Sequence, residues 1–472
     1  MTTRTITTAP PILIIIVTWN KKQYILELLA SLAKLDYPSY AYEILVIDNA
    51  STDGTKDAIA KAYPNVILLY NEENIGGTGG FNTGLKWAFA QPPARYQYLW
   101  LLDNDVLVHR RALAELVSLL ETKPDVAVAG STMMQLDYPW RINEMGSFVN
   151  LQTGHLIWHR HLEVIPSWQG YSVQTLLTEE EADLTKHLVH CQSSMDVDYV
   201  AAASLLIRTD VAKEAGLWRD YFIHFDDVEW CLRIAKMGYR VTVSAKSLIW
   251  HLSAIAKVPT WILYYDNRNI LDLMKTHGAN KRTLKKVTRY ILKKAVYYHL
   301  IGKSELAELH RTAVTDFKAG QMGKKEIKLA YAYQKMEVVK EILFDPKIKK
   351  VLISWTVNLQ ATGLQEALVQ AMLKRPELKI DFLTLPGGNP LFQMPRAGYV
   401  SFPKSFTRWK TYWQLRGQYD LVVQSDYQPS LGLSWLKTDL LFVNDEGFCR
   451  LARPKFLNVL KAVSVFFGSF LI

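Results

Sequence analysis

The sequence predicts an α/β protein with a mostly parallel, Rossmann-like sheet, a basic helical segment and a second, smaller α/β region. Three observations carry this reading. Continuous apolar, β-branched runs recur at a spacing that leaves room for one helix between them. The intervals hold apolar residues at helical period. Polar residues gather just past the ends of the runs, where open α/β sheets bind ligands.

Residues 12–17 form the first run, apolar throughout, as in a strand buried on both faces. Asn20 is placed to cap the next helix, whose Ile25, Leu28, Leu29, Leu32 and Leu35 share one face. Residues 43–47 are the second strand, ending in Asp48-Asn49. Turn chemistry at Ser51-Thr52-Asp53-Gly54 leads to a helix over 56–62 and a third strand over 66–70. The fourth strand, 98–102, runs into Asp103-Asn104-Asp105, with a helix expected over 110–120. Residues 131–195 lose the rhythm and read as hairpins and loops, rich in Trp (Trp140, Trp158, Trp168) and His (His155, His159, His161, His187, His190). Residues 198–207 return to buried apolar structure, 228–236 to a helix and 239–243 to a strand.

The charge is unevenly placed. The 472 residues carry a net charge of +10, yet residues 281–350 alone hold 18 Lys and Arg against 7 Asp and Glu. The basicity therefore belongs to one segment and favours a polyanion or an anionic membrane face. That segment lacks the signatures of known nucleic-acid modules, so a nucleic-acid partner is not expected. From Lys349 a second α/β pattern begins, and we divide the chain into 1–275, 276–347 and 348–472. Residues 456–472 read as an amphipathic helix, a membrane anchor or a buried helix. The 3 cysteines, Cys191, Cys231 and Cys449, are too few and too scattered for a disulfide scaffold, which fits a cytoplasmic setting.

Five motifs carry chemistry. Asp103-Asn104-Asp105 offers hard carboxylate oxygens for Mg²⁺ or Mn²⁺ beside a diphosphate; a polar turn is the plain alternative. Asn74-Ile75-Gly76-Gly77-Thr78-Gly79-Gly80-Phe81-Asn82 reads as a loop whose glycines let backbone approach a ligand. It follows the third strand rather than the first, which disfavours a dinucleotide-binding loop. Asp226-Asp227 open a helix, where the dipole favours the anion and a carboxylate can act as general base. One Asp would be a cap; two, followed by Glu229, exceed that need. His251 at a strand end can complete the metal site, and Arg268 can clamp phosphate.

In order, these motifs resemble the family 2 glycosyltransferases with a GT-A fold, from about Ile12 to Leu273. The matching pieces are VTWN (17–20), VIDNASTDGT (46–55), NIGGTGGFNTG (74–84), LLDNDV (101–106), FIHFDDVEWCLR (222–233), IWH (249–251) and YYDNRN (264–269). The glycine-rich and FIHFDDVEW segments look most like the galactofuranosyl- and rhamnosyltransferase branch.

The resemblance implies a metal-dependent inverting transfer from a UDP- or dTDP-sugar to a hydroxyl of a cell-envelope or capsular glycan precursor, lipid-linked, on the cytoplasmic face of the membrane. It implies nucleotide-sugar contacts at Thr18, Asn20, Asp48, Asn49, Asn74, Gly76, Gly77, Gly79, Gly80, Asn82 and Asp103. It implies metal ligands Asp103, Asp105 and His251, a catalytic base at Asp227, and acceptor orientation by Asp226. Two departures leave the sugar open: Asn104 stands where close relatives often have a third Asp, and Thr83 where they often have Arg. The competing readings are a catalytically silent nucleotide-sugar scaffold and a nucleotidyltransferase. The latter has Lys21 and Lys22 near the first strand but lacks the glycine-rich lysine loop.

Overall fold

Ile12–Thr18 form β1, and every apolar residue from Ile12 to Ile16 is fully buried. Burial of such a side chain contributes about 2 kcal/mol. A computed structural model of the chain describes residues 9–252 and 261–327, and from 334 to 468 all but 336, 358, 360–363, 385–395, 402–407, 426–431, 434, 435, 437, 444–447 and 454. It divides into two compact units. One comprises Met1–Lys257, Arg268–Leu284 and Asp316–Lys325; the other Val258–Asn267, Lys285–Thr315 and Glu326–Ile472.

In the first unit, β1 is followed by α1 (Lys22–Leu32), β2 (Tyr42–Asp48), α2 (Thr55–Ala62), β3 (Ile67–Tyr70), α3 (Gly76–Phe89) and β4 (Tyr98–Asp103). Then come β5 (Val106–Val108), α4 (Ala112–Thr122), β6 (Val126–Gln135), β7 (Ile142–Glu144) and the hairpin of β8 (Ser147–Asn150) and β9 (His155–Trp158). The one-turn α5 (Val173–Leu176), β10 (Ser194–Asp196), β11 (Leu205–Arg208), α6 (Thr209–Ala215), α7 (Asp226–Lys236) and β12 (Arg240–His251) complete the sheet region. The sheet order is β10-β12-β6-β11-β4-β1-β2-β3, with β5 on β12 and β7 on β6. Strands β3, β2, β1 and β4 are parallel, while β11 runs antiparallel to both β4 and β6. The sheet is thus of mixed α/β type: the expected parallel order holds from β3 to β4, while β5, β7, β10 and β11 run antiparallel to their neighbours. The apolar face of α1 (Ile25, Leu28, Leu29, Leu32) packs on Ile12, Ile14, Ile16, Trp100 and Leu102.

Two local expectations are corrected. Asn20 does not cap α1: it sits at φ 50° with its Oδ1 accepting from Thr52 N at 2.7 Å, and Asp53 Oδ2 takes the Lys22 N–H at 3.0 Å instead. The glycine-rich stretch is not a loop. It forms the first turns of α3, because its glycines let the helix lie close to its neighbours. A Cβ on Gly80 would stand 2.4 Å from Val17 Cγ1, and one on Gly76, at φ +77°, would stand 2.0 Å from the Phe222 carbonyl oxygen.

The second unit has a sheet of order β13-β19-β18-β17-β14-β15-β16. These are β13 (Gln334–Lys335), β14 (Lys350–Ile353), β15 (Lys379–Thr384), β16 (Gly398–Ser401), β17 (Leu421–Ser425), β18 (Asp439–Val443) and β19 (Phe448–Ala452). The strands from β14 to β18 pair in parallel, a doubly wound arrangement. Helices α8 (Ile262–Thr276), α9 (Lys281–Leu300) and α10 (Ser304–Ala319) precede this sheet. Helices α11 (Glu337–Phe344), α12 (Leu364–Lys374), α13 (Arg408–Leu415) and α14 (Phe456–Gly468) accompany it. Among the described residues, no helix is long and apolar enough to cross a membrane.

The glycines of α3 yield a paired prediction. Gly80→Ala should destabilise the protein by about 1–3 kcal/mol through overpacking against Val17. Gly77, with nothing within 4 Å of an added Cβ, should become about 0.5–1 kcal/mol more stable as Ala. Urea unfolding of the two variants checks this; equal midpoints would contradict the packing argument.

Candidate active site

Strand register brings the first group together. In β1 and its neighbours, Thr18 lies opposite Asp48 and Val17 opposite Asp103, so three strand ends present polar residues side by side. Asn104 Nδ2 donates to Thr18 Oγ1 at 2.9 Å, tying the Asp-Asn-Asp turn to β1. Asp48 is buried and its Oδ1 accepts the Ser51 N–H at 2.8 Å.

His251 arrives from the far side of the sheet. Strand β12 pairs with β6 up to Ser244–Ser131, then resumes at Leu248–Thr132, so residues 245–247 bulge out. A buried hydroxyl chain holds the bulge. Ser131 Oγ lies 2.7 Å from Ser247 Oγ and 2.6 Å from Ser204 Oγ. Ser247 Oγ donates to the Ala112 carbonyl at 2.9 Å, and Trp100 Nε1 to Ser204 Oγ at 3.0 Å. Beyond the bulge, His251 pairs with Val106 of β5, one residue past Asp105. His251 Nε2 stands 3.1 Å from Asp105 Oδ1. Asp103, Asp105 and His251 each bring a ligand atom within 4.8 Å of the others. Two carboxylates and one imidazole are a donor set that fits a divalent cation. The oxygens suit Mg²⁺ or Mn²⁺, and the nitrogen favours Mn²⁺ of the two.

The Asp226-Asp227 pair rests on a strained approach. Phe222, His224 and Phe225 have φ of 67°, 64° and 66°, a left-handed conformation that costs on the order of 1 kcal/mol or more for each such residue. Asn269 Nδ2 holds this turn by donating to the carbonyls of Ile223 at 2.8 Å, His224 at 3.0 Å and Tyr221 at 3.2 Å. Arg268 is fully buried, donating to the carbonyls of Tyr221 at 2.9 Å and Gly323 at 2.7 Å. Its guanidinium bonds main chain at both of these carbonyls.

The two carboxylates differ. Asp226 is buried, with its Oδ2 accepting from Thr78 Oγ1 of α3 at 2.5 Å. It faces Thr78 of α3. Asp227 is half-buried; its Oδ2 accepts the Ala202 N–H at 3.0 Å and its Oδ1 the Val228 N–H at 2.7 Å. Burial and the neighbouring Asp227 push the Asp226 carboxyl up to about 6. Burial, and the charge of Asp103, raise Asp227 as well. Glu229 is structural: Arg233 Nη2 pairs with it at 2.7 Å.

The other expected donor contacts are mostly occupied in building the pocket wall. Asn49 Nδ2 donates to the Gly76 carbonyl at 2.8 Å, and Asn74 Oδ1 accepts the Gly76 N–H at 2.9 Å. Asn82 makes a two-way bond with the main chain of Trp218, at 2.9 and 2.8 Å, which fastens α3. Gly79 packs on Ile75, while Gly77 is open.

Two residues escaped the sequence reading. Glu144, paired with Met133, and Gln135, paired with His251, lie on one face of the sheet by strand alternation. Burial, then the charge of Asp227, lifts the Glu144 carboxyl to about 7. Gln135 buries its carboxamide with no hydrogen-bond partner among the described residues. No motif marks either one; a short polar pair in an irregular region was the only signal.

The Asp226 shift carries a stability prediction with a definite sign. Its folded-state value of about 6 lies above the ordinary 3.8. The stability of the neutral acid is complete below the ordinary value and is lost as pH rises through about 6. Asp226→Asn stays neutral and keeps an acceptor for Thr78. Its urea midpoint should exceed that of the wild type at about pH 8, and the gap should close toward about pH 4. A gap of the opposite sign at the higher pH would contradict the burial argument.

Comparisons with known proteins agree with the motif order. Residues 13–173 match the profile of "Glycosyl transferase family 2". The galactofuranosyltransferase GlfT2 of Mycobacterium tuberculosis is 24% identical over 260 residues, 54% of this chain and 39% of that protein. The glycosyltransferase AglE of Haloferax volcanii is 25% identical over 241 residues, 50% of this chain and 64% of that protein. The chain therefore spans less than two thirds of either relative. Among solved structures, the mannosyltransferase PcManGT of Pyrobaculum calidifontis, in complex with GDP-Man and Mn²⁺, is 17% identical. It superposes with a TM-score of 0.39 over 79% of this chain and 83% of that one. Residues 13–173 thus match the family 2 glycosyltransferases, and the chain is similar to galactofuranosyltransferases among its relatives.

Proposed function

We propose that the chain is a metal-dependent inverting glycosyltransferase. It moves a hexose, with galactofuranose and rhamnose the first candidates, from a UDP- or dTDP-sugar to a hydroxyl of a cell-envelope glycan precursor. The acceptor in this reading is lipid-linked, and the enzyme works peripherally at the cytoplasmic face of the membrane. One observation carries the catalytic part. Asp227 is a carboxylate with both oxygens oriented by main-chain N–H groups, close enough to Asp103 to feel its charge.

The mechanism follows from these placements. Each Asp227 oxygen keeps a lone pair beyond its main-chain bond, so the carboxylate can take the proton of the acceptor hydroxyl. The freed oxygen attacks the anomeric carbon as the bond from that carbon to the nucleoside diphosphate breaks on the opposite face. One new glycosidic bond forms, one bond to phosphate oxygen breaks, and configuration inverts. Asp103, Asp105 and His251 would hold the divalent cation. When bound, such a cation neutralises charge on the departing diphosphate. Thr18 and Asp48 stand beside this group to meet the nucleotide. Asn20, Asn49 and Asn74 shape the turns around it, and the open side of Gly77 leaves room for the sugar. Asp226 locks α7 to α3 through Thr78, which keeps Asp227 in place.

A donor panel tests this reading: UDP-galactofuranose, dTDP-rhamnose, UDP-glucose, UDP-galactose and UDP-N-acetylglucosamine, each with Mn²⁺ and with chelator. One donor should turn over only with metal. Asp227→Asn should lower kcat about 10²–10⁴-fold while donor binding survives. Because Asp227 is raised, the acid limb of kcat/KM should lie above the ordinary carboxylate range, and activity should fall as pH drops through it. Binding without turnover of any donor would instead favour a silent scaffold.

A further inference from the structure

In the second unit, α14 carries an apolar surface that the described residues do not cover. Phe456 is 77% exposed, Leu457 58%, Leu460 51% and Phe467 64%. Only Ala462 and Val465 of this helix are buried, and Val465 packs with Ala295 of α9 and Ala307 of α10. So α14 lies beside α9, whose outer side exposes Lys285, Lys286, Lys293 and Lys294. Tyr290 sits among these lysines, with Lys294 Nζ 4.9 Å from its ring centre. Neither helix contains an acidic residue.

We propose that α14 and the lysine face of α9 form a docking surface for an anionic lipid bilayer, with α14 lying in the headgroup interface. Apolar side chains edged by cations match the two layers of such a surface, acyl region and phosphate headgroups. The 13 residues of α14 extend about 20 Å as a helix, short of the roughly 30 Å hydrocarbon core. A second copy of the chain fits less well, since a two-fold contact through this face would bring like charges together. The inference rests on the glycosyltransferase reading only for its purpose, which is to bring the enzyme to a lipid-linked acceptor; the binding itself does not require catalysis.

Flotation of the full chain with vesicles tests it. Vesicles of phosphatidylcholine with phosphatidylglycerol should carry the protein, and phosphatidylcholine alone should not. The pair Lys293→Gln and Lys294→Gln should weaken binding about 30-fold, from the charge of two lysines near an anionic surface. The pair Leu457→Ser and Phe467→Ser should abolish it. Both variants should keep wild-type turnover on a soluble acceptor, which separates a failure of docking from a failure of the catalytic reading. Equal binding to both vesicle types, or to neither, overturns the proposal. So does a dimer in sedimentation that the Leu457→Ser, Phe467→Ser variant dissolves.

Discussion

The candidate site depends first on a register shift in one strand. Without the bulge at residues 245–247, β12 would run on past β6 in unbroken register, and His251 would not face Val106. A slip of one residue would turn its imidazole to the other side of the sheet. The hydroxyls of Ser131, Ser204 and Ser247 hold this bulge from within the core, anchored to the indole of Trp100 and the carbonyl of Ala112. Each is buried, so loss of one leaves another polar group without its partner, at about 1–3 kcal/mol. A small polar chain in the interior thus sets the position of a histidine at the surface of the sheet.

The second constraint is the turn before α7. Three left-handed residues without a glycine among them are unfavourable on their own, and two adjacent carboxylates in a buried setting add to the cost. The surroundings hold both. Asn269 and Arg268 grip the carbonyls of the turn, Thr78 grips Asp226, and Gly76 leaves space for the Phe222 main chain. These contacts join α3, α7 and the stretch at 268–269, all within the first unit. Strain at such a place is expected where a side chain must be aimed rather than merely packed.

Much of the fold was legible in the sequence, for a physical reason. The strand Ile12–Thr18 is buried on both faces, so its run from Ile12 to Val17 is unbroken, whereas the equally buried Val126–Gln135 carries Gly130, Ser131, Thr132 and Gln135 and was not legible as a strand. The residues at strand ends were readable because parallel strands leave their polar groups there. What was hidden depends on close approach and on register. Gly76 to Gly80 signalled freedom of the backbone, and the freedom is used for helix packing, not for a loop. Arg268 and Asn82 bond main-chain groups far away in the sequence, a use that their local context does not announce. Glu144 and Gln135 join the face of His251 only through strand pairing, which no local pattern announces.

In the proposed mechanism Asp103, Asp105 and His251 form one cation site facing Asp227. A crystal structure of the chain grown with Mn²⁺ and a nucleoside diphosphate, with the ion located by anomalous scattering, tests it most directly. A single strong anomalous peak should be bonded to all three side chains, with the Asp227 carboxylate near the ion but not ligating it. A peak held by Asp227, Asp226 or Glu144 in place of His251 would contradict it.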